Sequence, residues 1–86
     1  MPHESFEVLG QRLHEASQLV PLDSYRHYKG SIYHVVGYTV LKQNDEAGIR
    51  YFDIKHPSIT FTTPISDWLG PLIIDGQEVE RYKRID

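Results

Sequence analysis

Tyr25-Arg26-His27-Tyr28-Lys29-Gly30-Ser31-Ile32-Tyr33-His34-Val35-Val36-Gly37-Tyr38 decides how this chain is read. Tyr25–Lys29 reads as a short strand, and Lys29-Gly30-Ser31 as a turn in which Gly30 takes a positive φ without steric cost. Ile32–Leu41 reads as a long strand. Simple alternation puts Ile32, His34, Val36, Tyr38 and Val40 on one face, and Tyr33, Val35, Gly37, Thr39 and Leu41 on the other. Both faces carry apolar side chains, so this strand is expected to be central and curved, with a bulge or bend at Gly37.

Upstream, Phe6, Leu9, Leu13, Ala16 and Val20 recur at helical spacing, which predicts an amphipathic helix over residues 4–20. Ser5 suits its N-cap, Glu4 and Glu7 its N-terminal dipole, and Pro21 its end. The apolar stripe is expected to dock on the sheet; a homodimer contact through the same helix is the alternative. Downstream, Ile49–Ile54 and Ile59–Thr63 read as strands, Pro64 ends the second of them, and residues 65–69 read as a turn or single helical turn. Asp75-Gly76 is the strongest hairpin signal, joining Leu72-Ile73-Ile74 to Gln77–Tyr82 and placing Ile74 opposite Gln77 and Leu72 opposite Val79.

The resulting expectation is a mainly β chain with one N-terminal α-helix, either a small SH3-like five-stranded barrel or a strongly bent antiparallel sheet. Residues 1–22 form a helical extension and residues 23–86 the β domain. At 86 residues one layered core is expected, burying about 60% of the unfolded surface. The absence of cysteine excludes disulfides and thiolate chemistry. Met1-Pro2-His3-Glu4-Ser5 has no basic region followed by an apolar run, and no apolar run approaches the length of a membrane span, so a cytoplasmic setting without membrane contact is expected.

The residues in hand resemble a small bacterial domain family of unknown function, DUF1653. The resemblance begins with Tyr-Arg-His-Tyr-Lys-Gly at Tyr25–Gly30 and continues with Tyr33 and Val35, then Tyr51 and Ile54. It closes on Pro64-Ile65-Ser66-Asp67-Trp68, Asp75-Gly76 and Arg81-Tyr82, covering roughly residues 25–85. It implies a shared fold and carries no established activity. Where the family pattern has Trp-x-Arg before the proline, this chain reads Phe61-Thr62-Thr63, so an anion-binding arginine there is not reproduced. Residues 1–22 precede the usual start of the family.

Catalysis finds little support. The chain has no nucleophile elbow, phosphate-binding glycine loop or His-Glu-x-x-His, and its carboxylates are scattered through loops and turns. No catalytic residue, metal ligand or cofactor is therefore assigned. His27 and His34 are seven residues apart in adjoining strands, but no recognised metal-ligand spacing exists. The stronger candidate is a surface. Residues 24–44 contain no acid although the whole chain has net charge -3, and this window holds four of the six tyrosines. Tyr25, Arg26, His27, Tyr28, Lys29 and Tyr33, with Tyr51 and Trp68, are the candidate ligand-binding residues: flat faces beside donors suited to carboxylate or phosphate. Against this, the tyrosines also suit an amphipathic core, with Arg26 paired to Asp53 or Asp67 and Trp68 plugging a barrel end. The expected function is a non-catalytic binding module for a protein segment or compact ligand. A nucleotide or single-stranded nucleic-acid binder is the less favoured alternative, and a small enzyme the least.

Overall fold

A computed structural model describes residues 4–85; the reading of Met1-Pro2-His3 and the last residue of the β domain lie outside them. The helix forms where the apolar spacing places it, as α1, Phe6–Leu19. Ser5 caps it, its hydroxyl accepting from the Val8 amide at 3.3 Å. Leu9, Ala16 and Val20 are buried and Leu13 packs against the same core, but Phe6 is 91% exposed. The stripe thus loses its first member, which lies in the opening turn of the helix.

Five strands follow: β1 (Ser24–His27), β2 (Ile32–Val40), β3 (Ala47–Asp53), β4 (Thr60–Pro64) and, after an excursion, β7 (Tyr82–Arg84). The excursion consists of α2 (Ile65–Leu69) and a separate two-stranded hairpin, β5 (Leu72–Ile74) and β6 (Gln77–Val79). The five-stranded sheet is antiparallel in the order β4-β3-β2-β1-β7. It does not close into a barrel, which corrects the first of the two expected architectures. Closure needs β4 and β7 to pair, but the chain between them runs through α2 and the hairpin, and β7 contributes only three residues. The hairpin has the expected register, Leu72 opposite Val79 and Ile74 opposite Gln77, with Asp75 and Gly76 both at positive φ. The segment read as one strand, Gln77–Tyr82, breaks at Glu80-Arg81, so that its second half joins β1 instead.

Gly30 has φ of +106°, as the turn between β1 and β2 requires. The β2–β3 register shifts between Val35 and Gly37, making a bulge at Val36, one residue before the expected position. Its consequence is larger than its size. Alternation restarts after the extra residue, so Tyr38 points to the same face as Tyr33 and Val35 rather than to that of His34.

That shared face holds the core. Val35 and Ile49 are 0% exposed and share a cluster with Ala16 of α1 and Val20, its C-cap, and Trp68 of α2 is buried in the same cluster. Two phenols tie the end of α1 to the sheet: Tyr38 donates to the Val20 carbonyl at 2.5 Å and Tyr25 to the Pro21 carbonyl at 2.8 Å. Arg12, midway along α1, donates to the Asp45 carbonyl at 2.9 Å and joins the helix to the β2–β3 loop.

Candidate functional site

The eight candidate residues do not form one surface. Alternation along β1 sends Tyr25 and His27 to the core face and Arg26 to the outer face. Tyr25, Tyr51 and Trp68 are buried, and Tyr33 is half-buried between them. Tyr28 is exposed at the turn, with the Lys29 ammonium 5.7 Å from its ring centroid. Arg26 is exposed and makes no ion pair with Asp53 or Asp67. His27 and His34 fall on opposite faces, and among the described residues no group of three or more acids and histidines is placed to hold a metal ion.

The buried rings instead form a continuous array. Tyr33 meets Tyr51 at 5.0 Å between centroids, Tyr51 meets Trp68 at 5.2 Å, and Trp68 stacks on Tyr82 at 3.8 Å and 5°. Tyr25 closes on Trp68 edge-to-face at 5.5 Å, and His27 on Tyr82 at 5.1 Å. With no barrel end to plug, Trp68 instead packs α2 onto the sheet through Tyr25 and Tyr51. Phe61 meets the array through Tyr51 at 5.9 Å. Thr63, standing where the family pattern has arginine, exchanges a 2.9 Å hydrogen bond with the Tyr51 hydroxyl.

Where this array ends, between the C-terminal end of α1, α2 and β7, the structure leaves a cavity of about 370 Å³. Tyr25, Trp68 and Tyr82 line it together with Leu19 and Leu69, and its charged lining residues are Arg81, Arg84 and the acid Glu80. The hallmark strand builds this site by backbone pairing more than by its own side chains. Tyr25 is registered with Arg84, Arg26 with Lys83 and His27 with Tyr82, while the Tyr28 amide donates to the Arg81 carbonyl at 3.0 Å. Tyr25–Gly30 therefore acts as the template that fixes Arg81, Tyr82 and Arg84.

The two arginines are not equivalent. Arg84 Nε donates to Asp23 Oδ2 at 2.8 Å. Asp23 is held below its usual pKa first by the Ser24 amide and then by Arg84, so this carboxylate stays charged. Arg81 donates its Nε to the Gly70 carbonyl at 3.3 Å and makes no ion pair among the described residues. Its terminal nitrogens make no hydrogen bond or ion pair among the described residues. Burial raises the Tyr82 phenol to about 12, with Tyr51 and Tyr33 adding to the effect, and burial also raises Tyr25. Both are neutral at physiological pH. His27 is pushed the other way, first by burial and then by the charges of Lys29 and Arg81. It lies behind Tyr82 rather than on the cavity wall, and the wall contains no serine, threonine or histidine.

Arg81, Tyr82 and Arg84 were absent from the candidates the sequence pointed to. Their signal was present as the Arg81-Tyr82 pair, but reading it as the end of a hairpin hid its pairing with β1. Arg26, His27 and Tyr28 line a different depression, of about 450 Å³, with Glu78, Glu80 and Lys83. Lys29 lines a third, beside Asp53.

A family model described as a protein of unknown function (DUF1653) matches residues 23–84. No curated protein matches the chain. The crystal structure of a DUF1653 protein from Bordetella bronchiseptica superposes with a TM-score of 0.67 at 22% identity, covering 79% of this chain and 90% of that one, which shows a common fold. Hallmark strand, sheet and closing Arg-Tyr strand all lie within the matched span, and the chain belongs to the DUF1653 family.

Proposed function

We propose that this protein is a small non-catalytic binding module whose site is the cavity bounded by Trp68, Tyr82, Tyr25 and Arg81. Its ligand is a compact molecule with an apolar or flat body and a carboxylate or phosphate head. One observation carries this reading: about 370 Å³ of open volume stands against a stacked Trp–Tyr pair beside an arginine whose terminal nitrogens have no ion-pair partner among the described residues. The rings supply dispersion and apolar contact to the body, and the guanidinium supplies charge-assisted hydrogen bonds to the head. The wall offers no nucleophile beside a base, which favours binding over chemistry.

Trp68 is the single tryptophan, so its fluorescence reports directly on occupancy. Titrating a panel of aromatic and aliphatic carboxylates and phosphates should quench or shift it, with ligand-observed NMR as a second readout. Arg81→Gln should weaken binding about tenfold or more, the range expected for a lost charge-assisted hydrogen bond. A panel that leaves Trp68 unchanged, or equal affinity in the folded variant, overturns the reading.

A second reading rests on the outer face of the sheet. Arg26, Arg50 and Lys83 project there around the His34–Phe52 ring pair, whose centroids are 5.6 Å apart, and the outer-facing strand positions carry no acid. Such a face suits a single-stranded nucleic acid, although Glu78 and Glu80 approach Arg26 and Lys83 at one end. Oligonucleotide binding that falls steeply with salt, and that Phe52→Ala abolishes, is its test.

A further inference from the structure

The two edges of the five-stranded sheet differ in how they are protected. The β7 edge is three residues long and carries Lys83 and Arg84, features that discourage another strand from adding to it. The β4 edge is five residues long and uncharged, and its one such device is Pro64 at its last position. Residues 57–66 form a ten-residue run without a charge in a chain that is 24% charged. Within this run β4 pairs with β3 on one side only, and Ile59 and Phe61 beside that edge are 52% and 49% exposed.

We propose that the β4 edge binds a second copy of this chain, pairing antiparallel about a two-fold axis to join two five-stranded sheets. An isologous pairing sets the same residues against one another. Centred on Thr62, it places Thr62 opposite Thr62, Thr60 opposite Pro64 and Phe61 opposite Thr63. The Thr62–Thr62 and Phe61–Thr63 pairs are β-branched and aromatic pairs of the kind that stabilise sheets, while Pro64 brings a carbonyl but no N–H to its place opposite Thr60. Charge favours the match: β4 brings none. The nearest cation, Arg50, is one strand inside, so the two copies' Arg50 side chains stand about 14 Å apart, beyond the Debye length at physiological salt. Pairing at the β7 edge would instead bring Lys83 and Arg84 of two copies together. A five-residue edge is smaller than the roughly 800 Å² per partner typical of stable interfaces, so the dimer is a reversible, concentration-dependent one. The cavity lies at the opposite edge of the sheet, and this inference stands whether or not the cavity holds a ligand.

Sedimentation velocity over a series from micromolar to millimolar protein should show mass rising toward that of a dimer. Hydrogen exchange should show the β4 amides gaining protection over the same series. Thr62→Lys places an outward-facing cation at the centre of the pairing and should hold the chain monomeric and folded, with a small fall in melting temperature from Arg50 opposite it. Lys83→Thr, at the other edge, should leave association as it is. A chain that stays monomeric throughout overturns the inference, as does a dimer that persists in Thr62→Lys or that protects α1 amides instead of those of β4.

Discussion

The inner face of the sheet has two ends built from different materials. Beneath α1 it is aliphatic: Val35, Ile49, Ala16 and Val20 leave almost no surface to water. Toward β7 it is aromatic and polar-tipped, with Tyr25, Trp68 and Tyr82 facing an open cavity and Arg81 at its wall. The first end interlocks small branched shapes under a helix. The second uses rigid rings that cannot collapse into the remaining space. A chain of 86 residues has little apolar area to spare, so volume left open beside large aromatics does not serve stability. On the proposed function, folding energy is concentrated at the α1 end and recognition at the β7 end, where Tyr25 and Trp68 also belong to the buried core.

The largest expected effect tests that division. Ile49→Ala should cost about 2–5 kcal/mol in chemical denaturation, since its surroundings can only partly close over the lost volume. Leu69→Ala, at an exposed position lining the cavity, should stay within about 0.5 kcal/mol. Similar costs at the two positions would break the comparison. A middle-sized effect sharpens it where the ends meet. Tyr38→Phe and Tyr25→Phe each remove a phenol bond to the last residues of the helix connection, and each should cost about 0.5–1.5 kcal/mol. The smallest effect separates the ends by pH. His27, facing Tyr28, Tyr33 and Tyr82 with Lys29 and Arg81 nearby, has its folded pKa below the unfolded value. Its contribution is therefore complete above about pH 6.5 and is lost as pH falls below that, because the unfolded chain takes up the proton first. Stability measured across pH 5–8 should show this slope, and His27→Gln should flatten it.

Much of the fold was legible from local rules. Five apolar positions at helical spacing placed α1, Gly30 marked the β1–β2 turn, and Asp75-Gly76 set the hairpin register to the residue. The candidate site was legible only in part. Tyr25 and Trp68 do line the cavity, yet Arg26, Tyr28 and Lys29 stand away from it. Tyr38 was put on the wrong face because one bulged residue, Val36, reverses every side chain beyond it, and composition does not count such residues.

By itself, then, the sequence determined which segments are helix, strand and turn, because those choices depend on neighbours a few residues away. Tertiary structure decided that the sheet stays open, that Gln77–Tyr82 divides, and that Arg81, Tyr82 and Arg84 reach β1 from the far end of the chain. The physical reason is that strand pairing between residues such as Tyr25 and Arg84 depends on which backbone groups remain unpaired once everything between them has folded.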